Sequence, residues 1–348
     1  MCGVVQEVDH PMKLPELKIG NLVAKIPIVQ GGMSIRISTG KLAGAVAATG
    51  AVGVIGASGM EHEELAKEMR IARSMTKDGI IGINILFAAK DFLGIVNTAI
   101  KEKIDFICSG AGFSRDLYRI SKQMNIPIVP IVSSGRLAIT AKKLGAAAIV
   151  AESAEAGGHL GTLEKNTADL LKEVKEAVPD MAVIAAGGIA TGCGIAKMIK
   201  LGASGAQLAT NFVLAEECNA DIEYKKAYQN ANDPKDIVII KSPVGMPGRA
   251  IRTRLIENMQ KGIYPKIKFC DDCLKSCSKL YCIFEVLREA KKGNMEDGLV
   301  FCGESITKIK DKRIRPAKEI IADLVKEAED CLSGICKNNK LEEKYAGA

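Results

Sequence analysis

Met181-Ala182-Val183-Ile184-Ala185-Ala186-Gly187-Gly188-Ile189 begins as a short apolar run and ends on two glycines. A helical stretch, Gly192 to Leu201, follows, and a second apolar run opens near Ala206 and leads into Gln207-Leu208-Ala209-Thr210-Asn211. Strand, glycine-bearing loop, helix and strand in that order form a βαβ unit, whose two strands must lie parallel. The same rhythm extends towards the N-terminus. Apolar or β-branched runs start near Ile26, Val52, Ile81, Asp105, Ile126 and Ala146. Amphipathic stretches separate them, among them Glu61 to Ser74, Asp91 to Lys103, Arg136 to Leu144 and Thr167 to Val178. Eight units of about 25 residues predict an α/β fold, a closed (β/α)8 TIM barrel, in preference to an open doubly wound sheet with fewer strands.

After Leu214 the rhythm stops. Residues 1–215 are therefore expected to form the barrel, and 216–310 a smaller, mostly helical substrate or lid domain. Residues 311–336 are expected to hold a closing helix, begun at Pro316 and packed back on the barrel, and 337–348 a polar tail.

Of the 348 residues 47% are hydrophobic and 26% charged, enough for a large buried core. No apolar run reaches 18 residues, and the N-terminal stretch lacks a basic region followed by an apolar one, so a cytoplasmic protein with no membrane partner is expected. Eleven cysteines, an odd number, point to reduced thiols or metal ligands in place of disulfides, with Cys108 and Cys193 as plain barrel residues. The net charge is +7, and residues 241–313 alone hold sixteen Lys or Arg against nine Asp or Glu. Such a local field suits an anionic ligand, a phosphate-bearing donor or an acidic carrier protein, with Arg249, Arg252 and Arg254 the first candidates, although solvated helix faces explain it equally well. Few aromatic residues and no recognisable binding module argue against nucleic acid.

In a barrel, chemistry sits at the C-terminal ends of the strands. Gly187-Gly188 after the seventh strand and Gln207 to Thr210 after the eighth can supply backbone N–H groups to a phosphate. His159, in Glu155-Ala156-Gly157-Gly158-His159-Leu160-Gly161, follows the sixth strand candidate, the apolar run Ala147 to Ala151. An imidazole at that position can take or give a proton near neutral pH. The other two histidines, His10 and His62, fall in a polar leader and at a helix start and are expected at the surface.

Five motifs in order carry a resemblance: Pro27-Ile28-Val29-Gln30-Gly31-Gly32-Met33, Gly82-Ile83-Asn84, Glu155 to Gly161, Ala186-Gly187-Gly188-Ile189 and Gly205-Ala206-Gln207. Over roughly Lys18 to Leu214 the chain resembles the nitronate monooxygenase (2-nitropropane dioxygenase) family and its relative, the FMN-dependent type II enoyl-ACP reductase. The resemblance implies FMN across the barrel mouth, held by Gly31, Gly32, Met33, Asn84, Glu152, Gly157, Gly158, Gly187, Gly188, Gln207, Leu208, Ala209 and Thr210. It implies His159 as the base. Two chemistries follow from it: oxidation of alkyl nitronates or nitroalkanes, and NAD(P)H- or iron-sulfur-linked reduction of an enoyl thioester.

Outside that region lies Cys270-x2-Cys273-x3-Cys277-x4-Cys282, with Cys302 beyond it. Four thiols so spaced can converge on a [4Fe-4S] cluster, and the first three spacings are similar to the iron-sulfur segment of other FMN barrels. The same sulfurs could instead hold zinc or stay uncoordinated.

Overall fold

A computed structural model describes residues 12–270 and 272–335. The polar leader with His10, and the expected tail 337–348, lie outside the described residues.

The chain enters through a hairpin, β1 (Leu17–Ile19) and β2 (Leu22–Ala24), whose Leu17, Ile19 and Ala24 point into the bottom of the barrel. The barrel strands are β3 (Ile28–Gln30), β4 (Gly53–Gly56), β5 (Ile81–Leu86), β6 (Phe106–Gly110), β7 (Ile128–Val132), β8 (Ile149–Glu152), β10 (Val183–Ala186) and β11 (Gly205–Leu208). Between β8 and β10 lies β9 (Gly158–His159), which belongs to another sheet. The eight strands pair in parallel in the order β3-β11-β10-β8-β7-β6-β5-β4. Val29 bridges Val52, and Gln30 N donates to Val52 O at 2.9 Å, so the first strand meets the second and the barrel closes. The eight strand positions read from the sequence are those observed.

Alternation along each strand sends one set of side chains inward and the other against the helices. Val29, Val54, Phe106, Cys108, Val129, Val150 and Ile184 fill the interior. Gly82 is the counterpart of Phe106: a Cβ there would come within 2.3 Å of the ring, so the missing side chain makes room for the largest one inside. The outer ring holds α1 (Gly40–Ala47), α2 (His62–Met75), α3 (Phe92–Lys101), α4 (Arg115–Met124), α5 (Gly135–Leu144), α6 (Thr167–Ala177), α7 (Gly192–Lys200) and the short α8 (Thr210–Val213).

Beyond the barrel come α9 (Ile222–Asn230), then a hairpin, β12 (Ile237–Lys241) and β13 (Pro247–Ile251), then α10 (Arg254–Gln260) and α11 (Ile283–Lys291). Ile240, Leu255, Ile256, Met259, Tyr281, Val286 and Leu299 give this region a core of its own. The hairpin stands beside the expected helices and was not legible in the sequence. It is antiparallel to β9, with Gly248 opposite His159 and Arg249 opposite Gly158, and so ties the appended region to the barrel mouth.

The closing helix α12 (Ala317–Leu332) starts directly after Pro316 and packs on α7, where Gly192 N donates to Glu327 Oε2 at 2.7 Å. One expectation fails here. Cys193 is no plain thiol but is joined to Cys331 in a disulfide between α7 and α12, a proximity hidden by 138 residues of sequence. No helix among the described residues is long and apolar enough to cross a membrane.

Candidate active site

At the C-terminal ends of the barrel strands a cavity of about 680 Å³ opens, a volume in the range of cofactor and ligand sites. The loop after β3 forms its floor. Gly31 N donates to Leu208 O at 2.8 Å, and Asn84 Nδ2 donates to Gly32 O at 3.1 Å, which fixes this loop to its neighbours on both sides. A Cβ at Gly32 would lie 2.5 Å from the Asn84 Cβ, so glycine is what allows that contact. Ala209 and Thr210 begin the short α8 at the far wall, where Phe212 N donates to Ala209 O at 2.9 Å.

His159 lies on the cavity wall, and three sets of contacts hold its segment. Thr167 N and Oγ1 donate to Glu155 Oε2 at 2.7 and 2.6 Å, which seats the carboxylate on the N-terminus of α6. The Arg249 guanidinium, buried from β13, donates to the carbonyls of Ala154 and Ala156 and pairs with Glu304 at 2.5 Å. Gly157 packs flat on Cys302 and Gly303, since a Cβ would come within 2.5 Å of that backbone. The imidazole itself meets Phe301 edge-on, with ring centres 5.0 Å apart, and its Nε2 lies 2.7 Å from Ser242 Oγ. Burial pushes its pKa down to about 4, so at neutral pH the ring is uncharged and has a lone pair ready for a proton.

Glu152 ends β8 and also faces the cavity, with no hydrogen-bond or ion-pair partner among the described residues. Burial pushes its carboxyl up to about 7. The fold thus binds this proton more tightly than the unfolded chain does. The stability linked to it is fully present below the ordinary carboxylate range and is lost as pH rises through about 7. His159 has the opposite sign: its contribution is present above the ordinary histidine range and is lost as pH falls through about 4. Thermal melts between roughly pH 5 and pH 8 should show that Glu152→Gln removes a downward slope with rising pH. A slope identical to wild type would remove the burial argument.

The residues singled out from the sequence divide into two groups. Gly31, Gly32, Met33, Asn84, Glu152, Gly157, Gly158, His159, Gln207, Ala209 and Thr210 all line the one cavity. Gly187, Gly188 and Leu208 do not line it. Leu208 turns into the core, while Gly187 and Gly188 take left-handed φ values of 96° and 62° against Ser153 and Glu155. Added Cβ atoms there would lie 2.4 Å from Ser153 Oγ and 2.7 Å from Glu155 Cδ, so close packing already accounts for both glycines. Sequence reasoning missed the wall from the appended region, namely Met246, Leu274, Ile283, Phe284, Leu287 and Phe301. An apolar run after the last barrel strand was the only signal available.

The four cysteines are not gathered into a ligand set. Among the described residues no group of three or more His, Cys, Asp or Glu side chains is placed to hold a metal ion, so the expected [4Fe-4S] or zinc site finds no support in this arrangement. The physical reason is the course of the chain. Lys90 N donates to Cys273 O and Lys275 N to Ala88 O, which pins this segment along the loop after β5, while Cys282 caps α11 and Cys270 and Cys277 are exposed. Arg249 is corrected: it is an internal clamp and meets no external anion, whereas Arg252 and Arg254 are exposed.

A model of the nitronate monooxygenase family matches residues 16–105 and 87–327. Among solved structures, FabK from Thermotoga maritima is 32% identical, with a TM-score of 0.79 over 89% of this chain and 94% of that one. A nitroalkane oxidase from Streptomyces ansochromogenes has a TM-score of 0.76 over 89% of this chain and 97% of its own, at 21% identity, which speaks for a shared fold alone. A Staphylococcus aureus (strain MSSA476) protein named "Probable nitronate monooxygenase" is 28% identical over 284 residues, 69% of this chain and 79% of the relative.

Proposed function

The chain belongs to the nitronate monooxygenase family, close to the enoyl-ACP reductase FabK, and from that premise we propose that it oxidises alkyl nitronates and nitroalkanes with FMN at the barrel mouth and His159 as base. That it is an oxidoreductase follows from the family; the substrate and the role of the histidine are this reading's own. FMN, when bound, supplies the electron acceptor. The residues present fit such a group: a glycine floor open to a flat ring, an amide at Asn84, and a helix start at Thr210 for the terminal phosphate.

The observation that carries the reading is an imidazole fixed on the cavity wall, its ring against Phe301 and its Nε2 2.7 Å from Ser242 Oγ. With a neutral nitroalkane, the α C–H bond breaks, its proton passes to His159, and the electron pair stays on the substrate as the nitronate. Met246, Leu274, Phe284 and Phe301 line this side of the cavity with apolar surface. With a preformed nitronate that step is already complete.

The identity to FabK favours a second reading, reduction of an enoyl thioester. There the apolar wall from the appended region would take the acyl chain, and exposed Arg252 and Arg254 would meet an anionic donor such as NAD(P)H or an acidic carrier. Anaerobic mixing of the purified protein with NADH, NADPH, nitronate and nitroalkane in turn decides between them. Fast bleaching of the flavin by nitronate and nitroalkane is expected. Bleaching only by a nicotinamide donor would overturn the first reading in favour of the second.

A further inference from the structure

Lys266-Ile267-Lys268-Phe269 lies in the connection between α10 and α11, which forms neither helix nor strand from Ile263 to Cys270. Alternation of basic and apolar residues normally marks a half-buried strand, with the apolar members inward and the basic ones in water. Here the apolar members are in water. Ile263 is 61% exposed, Ile267 37% and Phe269 70%. Contacts that hold the segment to the protein come from its other residues: Tyr264 stacks on Tyr281, and Lys268 N donates to Glu285 Oε2 at 3.3 Å. The connection borders the cavity, because Leu274 further along it is part of the lining, as are Ile283 and Phe284 at the start of α11.

Two observations decide what covers this row. The first is charge. Residues 261–282 carry five lysines against two aspartates. Lys266 and Lys279 have no ion-pair partner among the described residues, whereas Asp272 is taken by Lys90. A second copy of the chain would bring like charges face to face, so the partner is anionic. The second is extent. A stable protein interface takes roughly 20 to 30 residues a side around a buried centre, and a single row of three apolar side chains falls far short of that. A bilayer surface makes no such demand. A few apolar side chains enter the boundary between headgroups and acyl chains, while neighbouring lysines stay with anionic headgroups.

We propose that the connection from Ile263 to Leu280 docks the protein on an anionic membrane surface, with Ile263, Ile267 and Phe269 entering the headgroup boundary and Lys266 and Lys279 at its phosphates. The apolar wall of Leu274, Ile283 and Phe284 then lies beside the lipid. Lying on a bilayer needs no spanning helix, so the expectation of no membrane partner, drawn from the lack of a long apolar run, bears on spanning alone. The inference goes beyond the choice between the two chemistries and stands or falls apart from it.

The chain contains no tryptophan, so Phe269→Trp introduces a single indole. Its emission should shift to the blue when the full-length protein meets vesicles of phosphatidylcholine and phosphatidylglycerol, and brominated acyl chains should quench it. Vesicles of phosphatidylcholine alone should bind less, and added salt should release the protein, because the lysines act through a screened field. In co-sedimentation, Ile267→Ser with Phe269→Ser should weaken binding to the mixed vesicles about tenfold. The melting temperature should stay as in wild type, since both side chains are already in water. Lys266→Glu with Lys279→Glu should lower binding to the mixed vesicles and leave binding to phosphatidylcholine unchanged. Wild-type retention of the serine double variant, or an indole whose emission ignores the vesicles, overturns the proposal. So does a wild type that ignores vesicles and either holds an acidic acyl carrier protein or self-associates through Phe269, since each result gives the row to a protein partner.

Discussion

His159→Ala is expected to lower turnover of a neutral nitroalkane by about 10² to 10⁴, the usual contribution of a positioned acid or base, with FMN content unchanged. Activity on a preformed nitronate should fall much less, because that substrate has already given up its proton. The separation follows from the site. The imidazole contributes to one wall, whereas the floor of Gly31 to Met33 and the Asn84 amide are fixed by bonds that do not involve it. Steady-state rates on both substrate forms, with flavin content from absorbance, check this. A variant that treats the two forms alike at wild-type rate would make His159 a packing residue against Phe301.

Arg249→Leu is expected to destabilise the protein by about 2 to 4 kcal/mol and to loosen flavin retention, with no change in the salt dependence of KM for any anionic substrate. The side chain's two hydrogen bonds to the Ala154 and Ala156 carbonyls vanish and leave those acceptors in a site closed to water. Glu304 loses a partner at 2.5 Å but is half-exposed and can rehydrate, which keeps the cost below that of a fully buried pair. A melting temperature lowered by roughly 5 to 10 °C would accord with this. An unchanged melting temperature together with a raised KM for NAD(P)H or a carrier would return Arg249 to the role of anion reader.

The barrel was legible because every one of its strands is covered on both faces and therefore reads as a short apolar run, with a glycine or turn at each end. The hairpin β12–β13 was not. Ile237 to Lys241 has the same composition as a barrel strand, but its pairing depends on β9, a two-residue strand about eighty positions earlier that no periodicity marks. His159 could be found from residue type and place; Ser242 and Arg249 could not, since their roles exist only once the hairpin lies against β9. Gly187-Gly188 is open to two physical readings, because the same missing side chain serves anion approach and close packing alike, and here Ser153 and Glu155 pack against both. The cysteine spacing is open to two readings in a similar way. Sequence interval bounds how near thiols can come, while the bonds of Cys273 and Lys275 to the loop after β5 decide where they are.

The most direct test of the whole account is flavin identity and stoichiometry. The purified protein should be yellow and release FMN, not FAD, at about one equivalent per cavity on denaturation, because the site offers one helix start for a terminal phosphate. Flavin-free protein should take FMN back and regain its absorbance. A colourless protein that takes up no FMN, or one that releases FAD, would contradict it.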